Sequence, residues 1–438
     1  MRTHLDSDPR LERTIHRVVH PRHGIIRRIA EMPVFPDTPN LFIANAIMVN
    51  AMHFRVGLGG VREHPKLSSG AGLSRSECLW AVVGEAIERY SGSIYFDDDL
   101  RTATADELGA DAVAVDDFVL YDEEQYETSG FPFCRYDRTL PRRWTKGRRL
   151  LTDEAIWVPA QMVWLGYGMI FPHENVVQNV STGLAAGDSL EGAIFTGLRE
   201  AVERDAFVSH WLLREPGVRI SLSAEQIDSF PPGFAGLVRS PHAELVLRRM
   251  DNEFGIPVVC GILQDRISGA VAVGAACHPA LRSAIYKATL EAWHTRYWGL
   301  ELVHYRPGKL RPEEVSTFER HVRFYRDPEN LEHIEFLLDG PAEPVDLADR
   351  YDGDRAAANR RMATALKAAG YDVITLELTT ADVADLGLHV ARVFVPGLQP
   401  IYCGTEVINM DRKRLGRFAQ NLGRTGPVDI NLAPHPFP

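Results

Sequence analysis

The chain is poor in cysteine, in excess positive charge and in long apolar runs. Its 438 residues include five cysteines, Cys78, Cys134, Cys260, Cys277 and Cys403. They are far apart with no C-x-x-C pair, which points away from a zinc knuckle and from a disulfide framework. Cys78, Cys260 and Cys277 stand in apolar surroundings and are expected as buried thiols. No apolar run approaches the ~20 residues needed to span a bilayer. Residues 1 to 30 mix Arg and His with Asp6, Asp8 and Glu12, so the h-region of a secretory signal is missing, and the expectation is a cytoplasmic protein. Lys and Arg number 48 against 59 Asp and Glu, a formal net charge of −11. That balance argues against nonspecific binding to nucleic acid or anionic membrane and favours peptide or protein partners. Walker A is absent as well, and Gly57-Leu58-Gly59-Gly60 is too short for a dinucleotide fingerprint. A hydrophobic content of 45% in a chain this long allows a substantial core, in one large domain or two.

What the chain does have is a repeat. Glu85-Ala86-Ile87-Glu88-Arg89 nearly recurs 115 positions later as Glu200-Ala201-Val202-Glu203-Arg204, each late in a segment of helical periodicity. On a helix, both glutamates of a pair project within about 60° of each other. Holding two like charges together costs a few tenths of a kcal/mol when exposed and more when buried, so a cation is expected nearby. Four carboxylates from two helices suit magnesium and a polyphosphate, because hard cations take oxygen ligands and substrate phosphates complete the shell. The simpler reading is two solvated helices with ordinary i,i+4 pairs, Glu85 with Arg89 and Glu200 with Arg204.

Context favours the first reading. Ser68-Ser69-Gly70-Ala71-Gly72-Leu73-Ser74 precedes the first helix as a small-residue loop, and Ser74 with Glu77 has the spacing of a capping box. Ser181-Thr182-Gly183-Leu184-Ala185-Ala186-Gly187 precedes the second, with Asp188 or Ser189 as N-cap. Small residues let backbone approach a ligand, and helix starts offer N–H groups to an anion. A looser third echo, Glu291-Ala292-Trp293-His294-Thr295-Arg296, has Lys287 one turn earlier as a phosphate-binding cation.

These stretches, from Gly72 to Ser91, from Ser181 to Asp205 and from Lys287 to Arg296, resemble the three ATP-site signatures of YcaO-domain proteins. The ending Pro434-His435-Pro436-Phe437-Pro438 resembles the proline-rich terminus of that family's azoline-forming branch. The resemblance covers roughly residues 65 to 438, leaving 1 to 64 as an N-terminal segment. It implies ATP and Mg2+ between the helices, with Glu85, Glu88, Glu200 and Glu203 as metal ligands, and Arg89, Arg204, Lys287, Glu291 and Ser181 around the nucleotide. It further implies a cyclodehydratase that turns Cys, Ser or Thr of a ribosomally made precursor peptide into thiazoline or (methyl)oxazoline by phosphorylating the amide oxygen. A leader-peptide-binding partner protein is expected, a flavin dehydrogenase can follow in the pathway, and a homodimer is left open. Thioamide or amidine formation at the same nucleotide site, or a scaffold without turnover, are the alternatives. The proline tail argues for azolines, and the intact glutamates argue against a scaffold. Four positions depart from the family pattern: Ala71 replaces a usual Lys, Ala81 a usual Ser, His294 a usual Gln, and Lys287 a frequent Arg. These bear on nucleotide affinity.

Strand-like runs alternate with helices: Phe42–Val49, Trp157–Pro159, Ile256–Leu263 paired with Ala270–Ala276, Val373–Leu378 and Val390–Val395, with a helix at Asp354–Ala369 stopped by Gly370. The fold class predicted is mixed α/β, helices packed on sheet. Residues 300 to 350, charged and containing proline, read as a peripheral insertion or flexible connection. In the tail, alternating prolines favour an extended segment that loses little entropy on docking, against the ordinary alternative of a frayed end. By the resemblance it reaches the active site, where His435 and the Pro438 carboxylate are candidate proton acceptors.

Overall fold

The computed structural model describes residues 8–50, 67–348, 351–424, 426 and 429–438; Asp6 and the Gly57–Gly60 stretch lie outside them. In chain order the main elements are α1 (Pro9–Val18), β1 (Ile26–Glu31), β2 (Phe42–Met48), β3 (Leu67–Gly72), α2 (Arg75–Ser91), β4 (Arg101–Ala103), β5 (Arg142–Arg149), β6 (Ala155–Pro159) and β7 (Leu184–Gly187). Then come α3 (Leu190–Leu212), β8 (Val218–Ser221), β9 (Ala243–Arg249), β10 (Val258–Asp265), β11 (Val271–Cys277), α4 (Leu281–Tyr305), β12 (Ala342–Pro344), α5 (Arg355–Ala368), β13 (Ile374–Glu377), β14 (His389–Phe394) and α6 (Arg412–Asn421). They form sheets in the orders β1-β2-β3, β11-β10-β9-β8-β12 and β4-β5-β13-β14-β7, with β6 on β5. This is the mixed α/β class. None of the described helices is long and apolar enough to cross a membrane.

Strand β11 is buried along its whole length and β10 nearly so, the pattern of strands covered on both faces. The period of two divides them: Val258, Cys260 and Ile262 join the core built around α3, while Val259 and Leu263 join the core under α4. The sheet is therefore sandwiched between two of the three glutamate-bearing helices. Gly274 is needed for that approach, because a Cβ there would run into Glu291 and the Ala292 nitrogen on α4. Cys78, Cys260 and Cys277 are buried thiols.

Three expectations change. The small-residue stretches are largely strands, not loops: Ser68 to Gly72 lies in β3 and Leu184 to Gly187 is β7. Small side chains there serve close strand–helix packing, since a Cβ on Gly70 would lie 2.7 Å from the Cys78 carbonyl oxygen and 2.8 Å from the Ala81 Cβ. Residues 300 to 350 are no peripheral insertion either: Val315, Val322, Phe324, Tyr325, Ile334 and Leu337 are buried in the core of α3. The apolar residues are few but buried, while Arg306, Arg311 and Glu313 stay in solvent. Finally, Glu77 does not close a capping box on Ser74; it accepts from the Leu73 N–H at 3.0 Å. The other strands form where expected, and α5 starts at the Asp354 N-cap, with Gly370 at φ +94° just past its end.

Strands β2 and β3 pair from Phe42↔Gly72 to Ile47↔Leu67, so one sheet straddles residue 64.

Candidate active site

Each glutamate-bearing helix leaves a strand through a short turn: β3 to α2, β7 to α3, β11 to α4. Ser74 caps α2 by accepting from the Glu77 N–H at 3.1 Å, and Ser189 caps α3 by accepting from the Gly192 N–H at 3.1 Å. The Tyr286 hydroxyl on α4 donates to Glu77 at 2.8 Å and ties α4 to α2.

Backbone N–H groups hold the carboxylates one at a time. Glu85 accepts from Ser69 at 2.7 Å, Glu200 from Gly183 at 3.0 Å and Glu203 from Cys277 at 3.1 Å. Gly183, at φ +82°, makes the turn over Glu200, and a Cβ there would strike the Val393 carbonyl. Ser181 lies half-buried in the same turn, its carbonyl accepting from the Leu184 N–H at 2.8 Å.

The helices bring like charges together. Burial, then the charges of Glu200 and Glu85, push the Glu88 carboxyl well up; Arg89 and Arg392 oppose this. Burial and the nearby Glu291 do the same to Glu203, against Arg204 and the Cys277 N–H. Glu291 is pushed up to about 7, chiefly by burial, with Arg204 and Lys287 opposing. It nevertheless remains exposed to water. Deprotonated together, these groups require cations.

Among the described residues no three Asp, Glu, His or Cys side chains stand close enough to hold an ion by themselves. The carboxylates offer the oxygen donors that magnesium takes, one or two to an ion, with water and substrate phosphates completing the shell. The basic side chains fit phosphate. Arg204 stands 3.6 Å from Glu200 and 3.7 Å from Glu203, and its Nε and Nη1 have no hydrogen-bond partner. Lys287 is exposed and lines a cleft of about 370 Å³ with Arg199, Ser283, Tyr286 and Arg355. Arg89 is engaged differently, in a 2.5 Å ion pair with Glu85 and a hydrogen bond to the Leu67 carbonyl.

Arg392 on β14 is a candidate site residue that the sequence reading missed. It is 3% exposed and donates through Nη2 to the carbonyls of Val180 (2.6 Å) and Met162 (3.2 Å), while Nε and Nη1 have no partner. Burial lowers it to about 10, and Glu200 and Glu88 pull it back up. The available signal was a lone arginine inside an otherwise apolar strand. At the departing positions, Ala71 pairs with Ile43 in the sheet, Ala81 is exposed, and burial pushes His294 down to about 4, leaving it neutral.

The proline tail is docked, not frayed: His435 and Phe437 are fully buried and Pro438 half-buried. Phe437 lies 4.8 Å from the Phe207 ring, with the Arg204 guanidinium 4.0 Å over its face. The expectation that His435 accepts a substrate proton does not survive. Its Nε2 donates to the Tyr402 carbonyl at 2.7 Å and its Nδ1 accepts from the Phe437 N–H at 3.3 Å, so no lone pair is free. Burial and the neighbouring His321 push it well below the ordinary histidine range.

An uncharacterized protein of Methanothermobacter thermautotrophicus is 27% identical over 363 residues, 80% of this chain and 84% of that one. A solved structure described as a heterocyclase in complex with substrate and cofactor superposes with TM-score 0.77 at 24% identity; it covers 98% of this chain, which spans 57% of that longer one. YcaO from Methanopyrus kandleri bound with AMPPCP and Mg2+ superposes at 0.62 with 19% identity, covering 89% and 90% of the two chains. Residues 69–399, well over half the chain, match the family model described as YcaO cyclodehydratase, ATP- and Mg2+-binding, and the protein belongs to the YcaO family.

Proposed function

We propose that the protein is an ATP- and magnesium-dependent cyclodehydratase that converts Cys, Ser or Thr of a precursor peptide to thiazoline or (methyl)oxazoline. One observation carries the choice among YcaO reactions: the proline-rich tail is seated against Arg204, beside Glu200 and Glu203. In this reading the substrate's thiol or hydroxyl adds to the preceding amide carbon, the amide oxygen takes the γ-phosphoryl of ATP with release of ADP, and phosphate then leaves as the nitrogen gives up its proton and forms the C=N bond of the ring. Glu85, Glu88, Glu200 and Glu203 would hold magnesium ions, one or two carboxylates to each, and the ions would supply charge neutralisation at the phosphates. Arg204, Lys287 and Arg392 orient phosphate oxygens through their N–H groups. Arg89 and Ser181 support the site, Arg89 by fixing Glu85. Glu291 is attracted to both Arg204 and Lys287, and its charge would help retain these two cations beside the phosphates. His435, bonded at both nitrogens, is set aside, and the Pro438 carboxylate is the candidate proton acceptor for the attacking thiol or hydroxyl. Leader recognition is assigned to a partner protein, and oxidation to azoles to a separate flavin dehydrogenase.

Mass spectrometry of the cognate peptide after incubation with ATP, Mg2+ and the partner tests this. Loss of one water per modified residue is expected. Replacement of an oxygen by sulfur would assign thioamide formation instead, and an unchanged mass with ATP intact would leave a scaffold.

A further inference from the structure

Three consecutive tail carbonyls each receive one side-chain donor: Ala433 from Trp211 Nε1 at 3.1 Å, Pro434 from the Tyr325 hydroxyl at 2.5 Å, and His435 from His321 Nδ1 at 2.7 Å. His321 carries its proton on Nδ1 because its Nε2 accepts from the Gly404 N–H at 3.3 Å. Prolines at 434, 436 and 438 have no N–H, so a segment of this kind offers mainly carbonyls. Tyr325 and His321 come from the Phe318–Phe324 helix and the residue that follows it. Trp211 comes from α3, which also carries Glu200 and Glu203. Beyond the third carbonyl, Phe437 enters between Phe207 and Arg204. Arg204 stands beyond hydrogen-bond distance of both glutamates, so the aromatic face is what fixes its plane.

We propose that Tyr325 and His321 form a latch for the C-terminal tail, positioning residues that seat Phe437 so that it orients the Arg204 guanidinium. The proposal rests on the reading of Arg204 as a phosphate-facing residue. The latch touches no substrate, and its effect reaches the chemistry only through the tail.

The test uses the full chain, Tyr325→Phe, a chain lacking Phe437 and Pro438, and the combination of the two. Tyr325→Phe removes one hydroxyl and keeps the ring, so the fold is retained. Carboxypeptidase release of the last two residues, read by intact mass, is expected to speed up about tenfold in Tyr325→Phe, the effect of losing one buried hydrogen bond. The kcat for Mg2+-dependent ATP hydrolysis should fall about tenfold, with KM for ATP changed less than about threefold, because the Arg204 charge remains but its orientation is lost. In the truncated chain, Tyr325→Phe should cost nothing further, since the two changes act through one element. An equal fall in kcat with and without the tail would assign Tyr325 a structural role and overturn the latch, as would unchanged carboxypeptidase release. A wild-type chain that neither hydrolyses ATP nor binds Mg2+-AMPPCP would overturn the proposed function and Arg204's part in it, whereas an ATP-active chain with an unmoved tail overturns the latch alone.

Discussion

The same five-residue pattern ends in two different environments. In the first copy Arg89 is consumed locally, paired with Glu85 and bonded to the Leu67 carbonyl, while Glu85 is also held by the Ser69 N–H. In the second copy Arg204 lies beyond hydrogen-bond distance of Glu200 and Glu203, keeps two nitrogens without partners and rests on Phe437. The first repeat thus contains the ordinary i,i+4 chemistry of a helix surface, and the second holds its cation ready for a ligand. A repeated motif specifies which side chains share a helix face; the neighbouring elements decide what each one does.

The largest expected effect separates the two copies directly. Glu203→Gln keeps the shape and can still accept the Cys277 N–H, so the fold should survive while Mg2+-AMPPCP affinity drops roughly 100-fold, about 2.7 kcal/mol. Glu88→Gln should lose roughly tenfold, because Arg392 remains beside it as a phosphate donor. Calorimetry showing equal losses would break the comparison, and unchanged affinity in both would remove these residues from the site.

Arg204→Lys follows in size. Lysine keeps the charge but not the planar fork that lies on Phe437, so kcat for ATP hydrolysis should fall about 30-fold, against less than about threefold for Arg89→Lys. Lys287→Ala should reduce ATP hydrolysis about tenfold, and Lys287→Arg much less, since arginine retains the charge and adds donors. Equal losses in the two Lys287 variants would point to packing at that position.

The sequence exposed the carboxylates because a helix converts i,i+3 spacing into a shared face without help from the rest of the fold. Arg392 carried no such local code: its neighbours Glu88 and Glu200 come from other elements, brought to it by pairing of β14 with β7. The latch was equally hidden, because Tyr325 and His321 find their carbonyls 109 and 114 positions away. The small-residue stretches misled for a different reason. Glycine and serine mark turns when backbone freedom is the need, but at Gly70 the need is room for α2 to pack on a strand. Strands and helices with plain periodicity, such as β10, β11 and α5, were read within a few residues.

A smaller effect concerns pH. Glu291 has a folded value of about 7, while an unfolded glutamate ionises near 4.3. The folded state therefore holds the extra proton, and the stability this contributes should be lost as pH rises from about 4.3 to just above 7 in the absence of divalent cation. Mg2+ with AMPPCP should flatten that fall. Acid acts in the opposite sense, because His321 is pushed down to about 4 and His435 well down, so stability present above ~6.5 is lost as pH drops through that range. Melting temperature in EDTA should thus peak near pH 6 to 6.5. A flat or rising profile from about pH 6.5 to 7.5 would show that Glu291 does not titrate near 7 in the folded chain.

The smallest expected effect belongs to the Glu85–Arg89 pair itself. Both side chains are about a quarter exposed, 27% and 26%, so water screens their attraction and an i,i+4 pair of this kind contributes ~0.3–0.5 kcal/mol. Arg89→Gln also removes the bond to the Leu67 carbonyl, an edge group of β3 that solvent can satisfy in part. The total loss in a denaturant titration should stay under about 1 kcal/mol, and ATP hydrolysis should change less than about threefold, since Glu85 keeps its Ser69 N–H. The same substitution at Arg204 should leave the melting curve close to wild type and reduce turnover severely. If Arg89→Gln instead reduces turnover as far as Arg204→Gln does, the ion pair of the first copy opens when nucleotide binds. The two repeats would then be equivalent in the working enzyme and different only when it is empty.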